Sequence, residues 1–174
     1  KAKTIVLKTR WSDNDFIDLE KNIIFLKKLN KRVIVIGPNP EFLWRSSEKK
    51  SIDSLNVLQE QFFYSVQPFD RYILLNKKMP TNKELEKMKK NYFEILNLKE
   101  LNKTNKLLSD ISSKNNVKFV NLSDLVCKFS DFKCDFFDQN LKKIYRSHQG
   151  HFTQEGINYL SKLIDDKIEL QNFL

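Results

Sequence analysis

The sequence predicts an α/β protein, a three-layer sandwich with helices on both sides of a central parallel sheet. Three observations predict it. Residues 4–7 and 33–36 are short apolar runs rich in β-branched side chains, the length of strands. The stretch between them has helical spacing. A further run of the same kind, 117–120, follows more helical sequence. Strand, helix and strand at this spacing form a βαβ unit, whose strands run parallel and need cover on both faces.

Each element has its own signal. Thr4-Ile5-Val6-Leu7 reads as a buried strand. Ser12 or Asp13 caps the first helix, and Asp15, Asp18 and Glu20 occupy its early turns. Phe16, Leu19, Ile23 and Leu26 form its inner stripe, and Lys27, Lys28 and Lys31 suit its negative C-terminal end. Gly37-Pro38 stops the second strand. Residues 51–64 have helical spacing, and 72–75 read as a short strand or part of an excursion. Thr81 caps a charged helix from Asn82, and the helix over 98–113 carries Leu101, Leu107, Leu108 and Ile111. Residues 122–126 make a helical turn. The last helix spans 154–170, with Ile157, Leu160, Ile164 and Ile168 inward.

The 174 residues are 40% hydrophobic with fourteen Phe, enough for one domain with a proper core. No apolar run approaches the roughly 20 residues of a membrane span. Lys1-Ala2-Lys3 leads straight into a strand, so no secretory signal is visible. The net charge of +9 raises nucleic acid as a partner. The lysines are scattered among Asp, Glu and Asn, which argues instead for a solvated surface. An anionic membrane surface suits the charge better than nucleic acid.

Cys127 and Cys134 flank a polar, turn-rich segment. They read as a disulfide closing a short loop in an oxidising compartment, or as two free thiols in a cytosolic protein. A zinc site would need two more ligands at workable spacing. Glycine is scarce: Gly37 ends a strand, and Gly150 and Gly156 belong to the histidine motif. These backbones are expected to need positive φ or close approach.

His148 and His151 are the only histidines, in His148-Gln149-Gly150-His151-Phe152-Thr153 followed by Gly156. A histidine in a loop just before a helix-capping hydroxyl is how many acyl-transfer enzymes present a base, and imidazole alone titrates near neutrality unaided. Ser12 fits a cap better than a nucleophile, and Ser147 lies too close in sequence to the histidines to face them. An H-x-x-H metal site would need a third ligand, such as Asp138 or a cysteine.

Several segments together resemble the C-terminal portion of an SGNH-fold domain. The type is the extracytoplasmic domain attached to membrane-bound acyltransferase-3 proteins, which O-acetylate bacterial surface sugars. Ile5-Val6-Leu7-Lys8-Thr9-Arg10-Trp11-Ser12 resembles that family's strand ending in Arg-Trp, and Val35-Ile36-Gly37-Pro38-Asn39-Pro40-Glu41-Phe42 its next strand and Pro-x-Pro turn. Val117 to Asn121, Asp124-Leu125-Val126-Cys127 and Cys134 resemble its late strand and cysteine pair. Tyr145 through Thr153, with Gly156, resembles its closing histidine block.

The resemblance implies an SGNH/flavodoxin-like sandwich lacking its first strand and helix, so that residues 1–174 form a single SGNH-like domain that is the C-terminal portion of a longer one. It implies an O-acyltransferase or esterase working on carbohydrate by a Ser-His mechanism. His151 is then the catalytic base, Arg10 and Trp11 line the pocket edge, and Cys127 and Cys134 are bonded. No metal or other cofactor is expected beyond an acyl donor such as an acetyl group. The expected partners are a carbohydrate acceptor and a membrane-embedded acyltransferase domain in cis, not nucleic acid, at the outer face of a membrane or in the periplasm. Two departures matter. The family's Gly-Asp-Ser block is absent, which places the nucleophile outside this segment. His148 stands where the family has the aspartate that orients the base, leaving Asp135 and Asp138 as the carboxylates nearest in sequence to replace it. The rival readings are a degenerate SGNH module that binds glycan without chemistry, and a cytosolic basic α/β module for nucleic acid, which requires free thiols.

Overall fold

The computed structural model describes residues 2–9, 11–42, 68–146 and 151–168, except the side chains of 13, 14, 68 and 165–168. The helical stretch expected over 51–64, the end of the last helix at 169–170, and Arg10, Ser147, His148 and Gly150 lie outside the described residues. The fold is α/β with six helices and a three-stranded parallel sheet among the described residues. The chain divides into two compact units: 1–40, 98–126 and 158–174 form one, and 41–97 and 127–157 the other.

The first unit contains the sheet. Its elements are β1 (Thr4–Leu7), α1 (Asp13–Lys28), β2 (Arg32–Ile36), the later helix Leu98–Lys114 and the strand Lys118–Val120. β2 is central, with the other two strands parallel on either side. Ile5 pairs with Val33 and Leu7 with Val35, while Ile34 pairs with Lys118 and Ile36 with Val120. Successive β2 side chains point to opposite faces. Val33, Ile34 and Val35 are nevertheless all buried, as a central parallel strand requires. β1 was expected to be buried but is half exposed, with Val6 51% accessible. Among the described residues it is an edge strand, with a paired neighbour on one side only.

The stripe read from α1 forms the core. Leu19 and Ile23 pack with Val33, Val35 and Leu108, with Trp11, Phe16, Leu26 and Ile111 around them. Full burial of an aliphatic side chain is worth roughly 1.5–3 kcal/mol. Ser12 precedes α1, and its backbone N–H and hydroxyl both donate to the Asp15 carboxylate (2.7 and 2.6 Å). These bonds hold the Asp15 pKa below the ordinary value and set an anion at the positive helix end.

The helices that feed β2 and the strand Lys118–Val120 end alike. Asn30 (φ 54°) and Asn116 (φ 49°) take the left-handed conformation that glycine usually supplies. The N–H of Lys31 reaches back to Leu26 O, and that of Val117 to Ser112 O, both at 3.0 Å. Asparagine tolerates this backbone, so a chain with three glycines can still stop two helices sharply and enter two strands.

The second unit is built on aromatic rings. In chain order it contains α2 (Pro68–Asn76), α3 (Asn82–Glu94), β4 (Cys127–Lys128), the 3-10 turn Phe129–Asp131 and β5 (Lys133–Cys134). With these labels the helix Leu98–Lys114 is α4, the strand Lys118–Val120 is β3, the turn Ser123–Val126 is α5, and the last helix, Gln154–Ile168, is α6. Residues 72–75 belong to α2 rather than to a strand. A short apolar run looks the same in either state, and here Pro68 starts a helix whose Asn76 amide bonds Tyr72 O (2.9 Å). Tyr92 stacks on Phe136 (4.2 Å, 2°), and Phe42 meets both Tyr92 and Tyr145 edge-on. Burial raises the Tyr92 pKa, so its hydroxyl stays protonated.

Candidate functional site

Two structural elements carry the residues that the sequence points to. The first is the C-terminal rim of the sheet, where open α/β proteins place their sites. The Trp11 indole donates to Ile36 O (2.9 Å) and its ring stacks on Phe16 (6.4 Å, 9°). Trp11 is thus anchored beside the rim and also packs against the core. The Lys8 ammonium donates to Gly37 O (3.3 Å), and desolvation lowers its pKa. Gly37 N–H donates to Val120 O (2.8 Å), joining the ends of β2 and β3.

Gly37 is needed for close approach. A Cβ there would stand 2.7 Å from Asn105 Oδ1 and 3.3 Å from Val120 O. Asn105 is buried on α4, and its Oδ1 has no hydrogen-bond partner among the described residues. Its amide reaches Ser123 Oγ at 3.5 Å, and that hydroxyl donates to Asn121 Oδ1 (2.7 Å). This polar cluster was missed from sequence. The signal was available: Asn105 and Ser112 interrupt the buried stripe of Leu101 and Leu108.

The second element is the histidine corner. Tyr145 and Phe152 form an antiparallel bridge, and Arg146 N–H donates to His151 O (2.6 Å). Thr153 then fastens the corner. Its N–H donates to Ile144 O (2.9 Å), its hydroxyl donates to Lys143 O, and the same hydroxyl accepts Gly156 N–H (2.9 Å) as the cap of α6. Gly156 lies against the chain so closely that a Cβ would fall 2.1 Å from Ile144 O. Because Gly156 faces inward, the next residue turns out. Ile157, expected inward, is 49% exposed, whereas Leu160 is buried.

His151 itself is exposed, and no described side chain hydrogen-bonds its imidazole. The two carboxylates considered for orienting it are engaged elsewhere. Asp135 pairs with Lys89 (3.1 Å), and Asp138 accepts the N–H groups of Asn140 and Lys142 (2.9 Å each) to shape a turn. Cys127 and Cys134 are bonded (S–S 2.03 Å) across the β4–β5 ladder, so neither is a free thiol or a metal ligand. Among the described residues, no three His, Cys, Asp or Glu side chains cluster as a metal site, and no helix is long and apolar enough to cross a membrane.

The described residues form an α/β fold around a parallel sheet. The periplasmic domain of the Salmonella ser. Paratyphi A lipopolysaccharide acetyltransferase has a similar fold, with a TM-score of 0.59 at 21% identity over 96% of this chain. The match takes in 57% of that protein's chain, so the present chain spans little more than half of it. No curated protein matches. The family model for the SGNH domain fused to AT3 domains matches residues 1–166, and the chain belongs to that family.

Proposed function

We propose that the chain is part of an O-acyltransferase or esterase that modifies carbohydrate outside the cytoplasm, in cis to a membrane-embedded acyltransferase domain. The observation that carries this reading is the pinned histidine corner in a chain of the SGNH–AT3 family. A serine hydroxyl from outside residues 1–174 attacks the acyl carbon. His151 takes its proton and returns it to the leaving group. The acyl donor, an acetyl group delivered by the membrane domain, replaces any cofactor. Nucleic acid is not a partner, and the Cys127–Cys134 bond favours an oxidising compartment.

Thr153 and Gly156 give this reading its mechanical basis. They fix the backbone next to His151, so the imidazole starts from a stiff base while its ring remains accessible. Arg10 and Trp11 are assigned to the pocket edge. The test is hydrolysis of an acetyl ester by the protein carrying its Gly-Asp-Ser segment. His151→Ala is expected to lower kcat/KM by on the order of 10³; an unchanged rate removes the role of His151.

A second reading, a glycan-binding module without catalysis, draws on a specific observation. His148 occupies the place of the orienting aspartate, and Asp135 and Asp138 are committed elsewhere. Neutral imidazole is a poor stabiliser of a second imidazolium. Trapping an acyl-enzyme intermediate by mass spectrometry eliminates this reading.

A further inference from the structure

The turn between the bonded cysteines places a bulky ring in a backbone region that such residues avoid. Phe132 caps the 3-10 turn with φ 53° and ψ 48°. An aromatic residue in this region is an outlier that persists only where its surroundings enforce it. Here the surroundings are the disulfide and a buried ring. Phe132 meets Phe93 edge-on (5.5 Å, 86°), and Phe129 meets the same ring (5.6 Å, 77°). Phe132 is nonetheless 65% exposed. An apolar residue thus touches a buried ring while much of its surface lies in water.

The residues between the two rings are polar. Ser130 and Asp131 are exposed, and the Ser130 hydroxyl donates to the Asp131 carboxylate (3.0 Å). Beside the turn runs a chain of ion pairs: Lys133 to Glu86 (2.8 Å), Glu86 to Lys89 (3.3 Å) and Lys89 to Asp135 (3.1 Å). An aromatic face carries partial negative charge, which attracts polarised C–H groups. A carboxylate beside it accepts hydroxyl protons. A pyranose offers both, C–H groups on its face and hydroxyls on its edge.

We propose that the disulfide-closed turn from Cys127 to Cys134 is a carbohydrate-binding platform, with a sugar ring stacked on Phe132 and its hydroxyls donating to Asp131. The proposal rests on the reading of a carbohydrate acceptor above and names where this chain holds part of it. A lipid bilayer is the competing occupant of an exposed ring flanked by Lys128 and Lys133. Asp131 decides against it, because a carboxylate at the tip resists insertion among lipids.

The test is a titration of the disulfide-intact protein with O-deacetylated oligosaccharides released from smooth lipopolysaccharide, followed by amide NMR. Shifts are expected to concentrate at residues 128–133. Phe132→Ala should raise Kd at least about tenfold, and Asp131→Asn by a smaller factor. Phe132→Leu keeps an apolar side chain without a flat face and is expected to bind as poorly as Phe132→Ala. Phe132→Trp should restore binding. Shifts centred elsewhere, or a Phe132→Leu protein that binds like wild type, overturn the proposal. So does sedimentation with phosphatidylglycerol vesicles that depends on Phe132 while the oligosaccharide is ignored. The titration needs no acyl donor. In the protein carrying its Gly-Asp-Ser segment, binding without acetyl-ester turnover sinks the catalytic reading alone, and turnover without binding at this turn sinks the platform alone.

Discussion

Gly156→Ala is expected to destabilise the protein, against the simple rule for helices. Helix propensity alone favours alanine by about 1 kcal/mol. The structure reverses the sign. The new Cβ would lie 2.1 Å from Ile144 O, 2.9 Å from Ile144 C and 3.0 Å from Ile144 Cα. Carbon and carbonyl oxygen settle at about 3.3 Å or more, so the gap must open by roughly 1 Å. Both sides are backbone, so no side chain can swing aside. Opening it pulls Gly156 N–H from the Thr153 hydroxyl and strains Thr153 N–H against Ile144 O. A lost cap costs about 1 kcal/mol and overpacking about 1–3 kcal/mol. After the propensity gain, the net loss is about 1–3 kcal/mol, or about 2–12 °C in Tm for a chain of this size. Thermal denaturation followed by circular dichroism measures it, with Ser161→Ala at an exposed position of α6 as the propensity control. A Gly156→Ala protein that melts at or above the wild-type temperature refutes the reasoning.

Three other outcomes follow from named contacts. Gly37→Ala should destabilise, and Asn105→Ala should relieve part of the cost, giving a coupling of about 1 kcal/mol in a double-mutant cycle; strict additivity counts against the 2.7 Å approach. Reducing Cys127–Cys134, which are seven residues apart, should cost about 2.5 kcal/mol by loop entropy, read as a Tm drop of about 5–10 °C; an unchanged melting curve contradicts this. Hydrogen bonds from Thr81 and Tyr72 hold Glu84 near a pKa of about 2, below its ordinary 4.5. Its contribution is therefore complete above pH 4.5 and lost as pH falls towards 2, and Glu84→Gln should flatten stability across that window in acid titrations.

The parts of the fold governed by local rules were legible in the sequence. The βαβ unit followed from two β-branched runs around the stripe Phe16, Leu19, Ile23 and Leu26, and Thr81, Leu98 and Gln154 mark starts that the helices keep. Residues 72–75 were ambiguous because four apolar residues fit either period, and the helix that contains them starts at Pro68, outside them. Val6 and Ile157 were misplaced for tertiary reasons, one by its position at a sheet edge and the other by Gly156 beside it. At the candidate site, the cap at Thr153 and the scarcity of glycine pointed to the corner around His151. Asn105 and Lys8 were not foreseen, because their significance depends on Gly37, distant from Asn105 in sequence, approaching within contact.

The β4–β5 ladder pairs only Cys127 with Cys134 and Lys128 with Lys133. Two rungs alone hold a hairpin weakly, so the covalent link works with the packing on Phe93 as the clasp of this corner. A newly made copy in a reducing milieu would have the same letters but a looser edge at Phe132. Oxidation would then act as a maturation step, and yields of well-formed material should depend on where in the cell the polypeptide is produced.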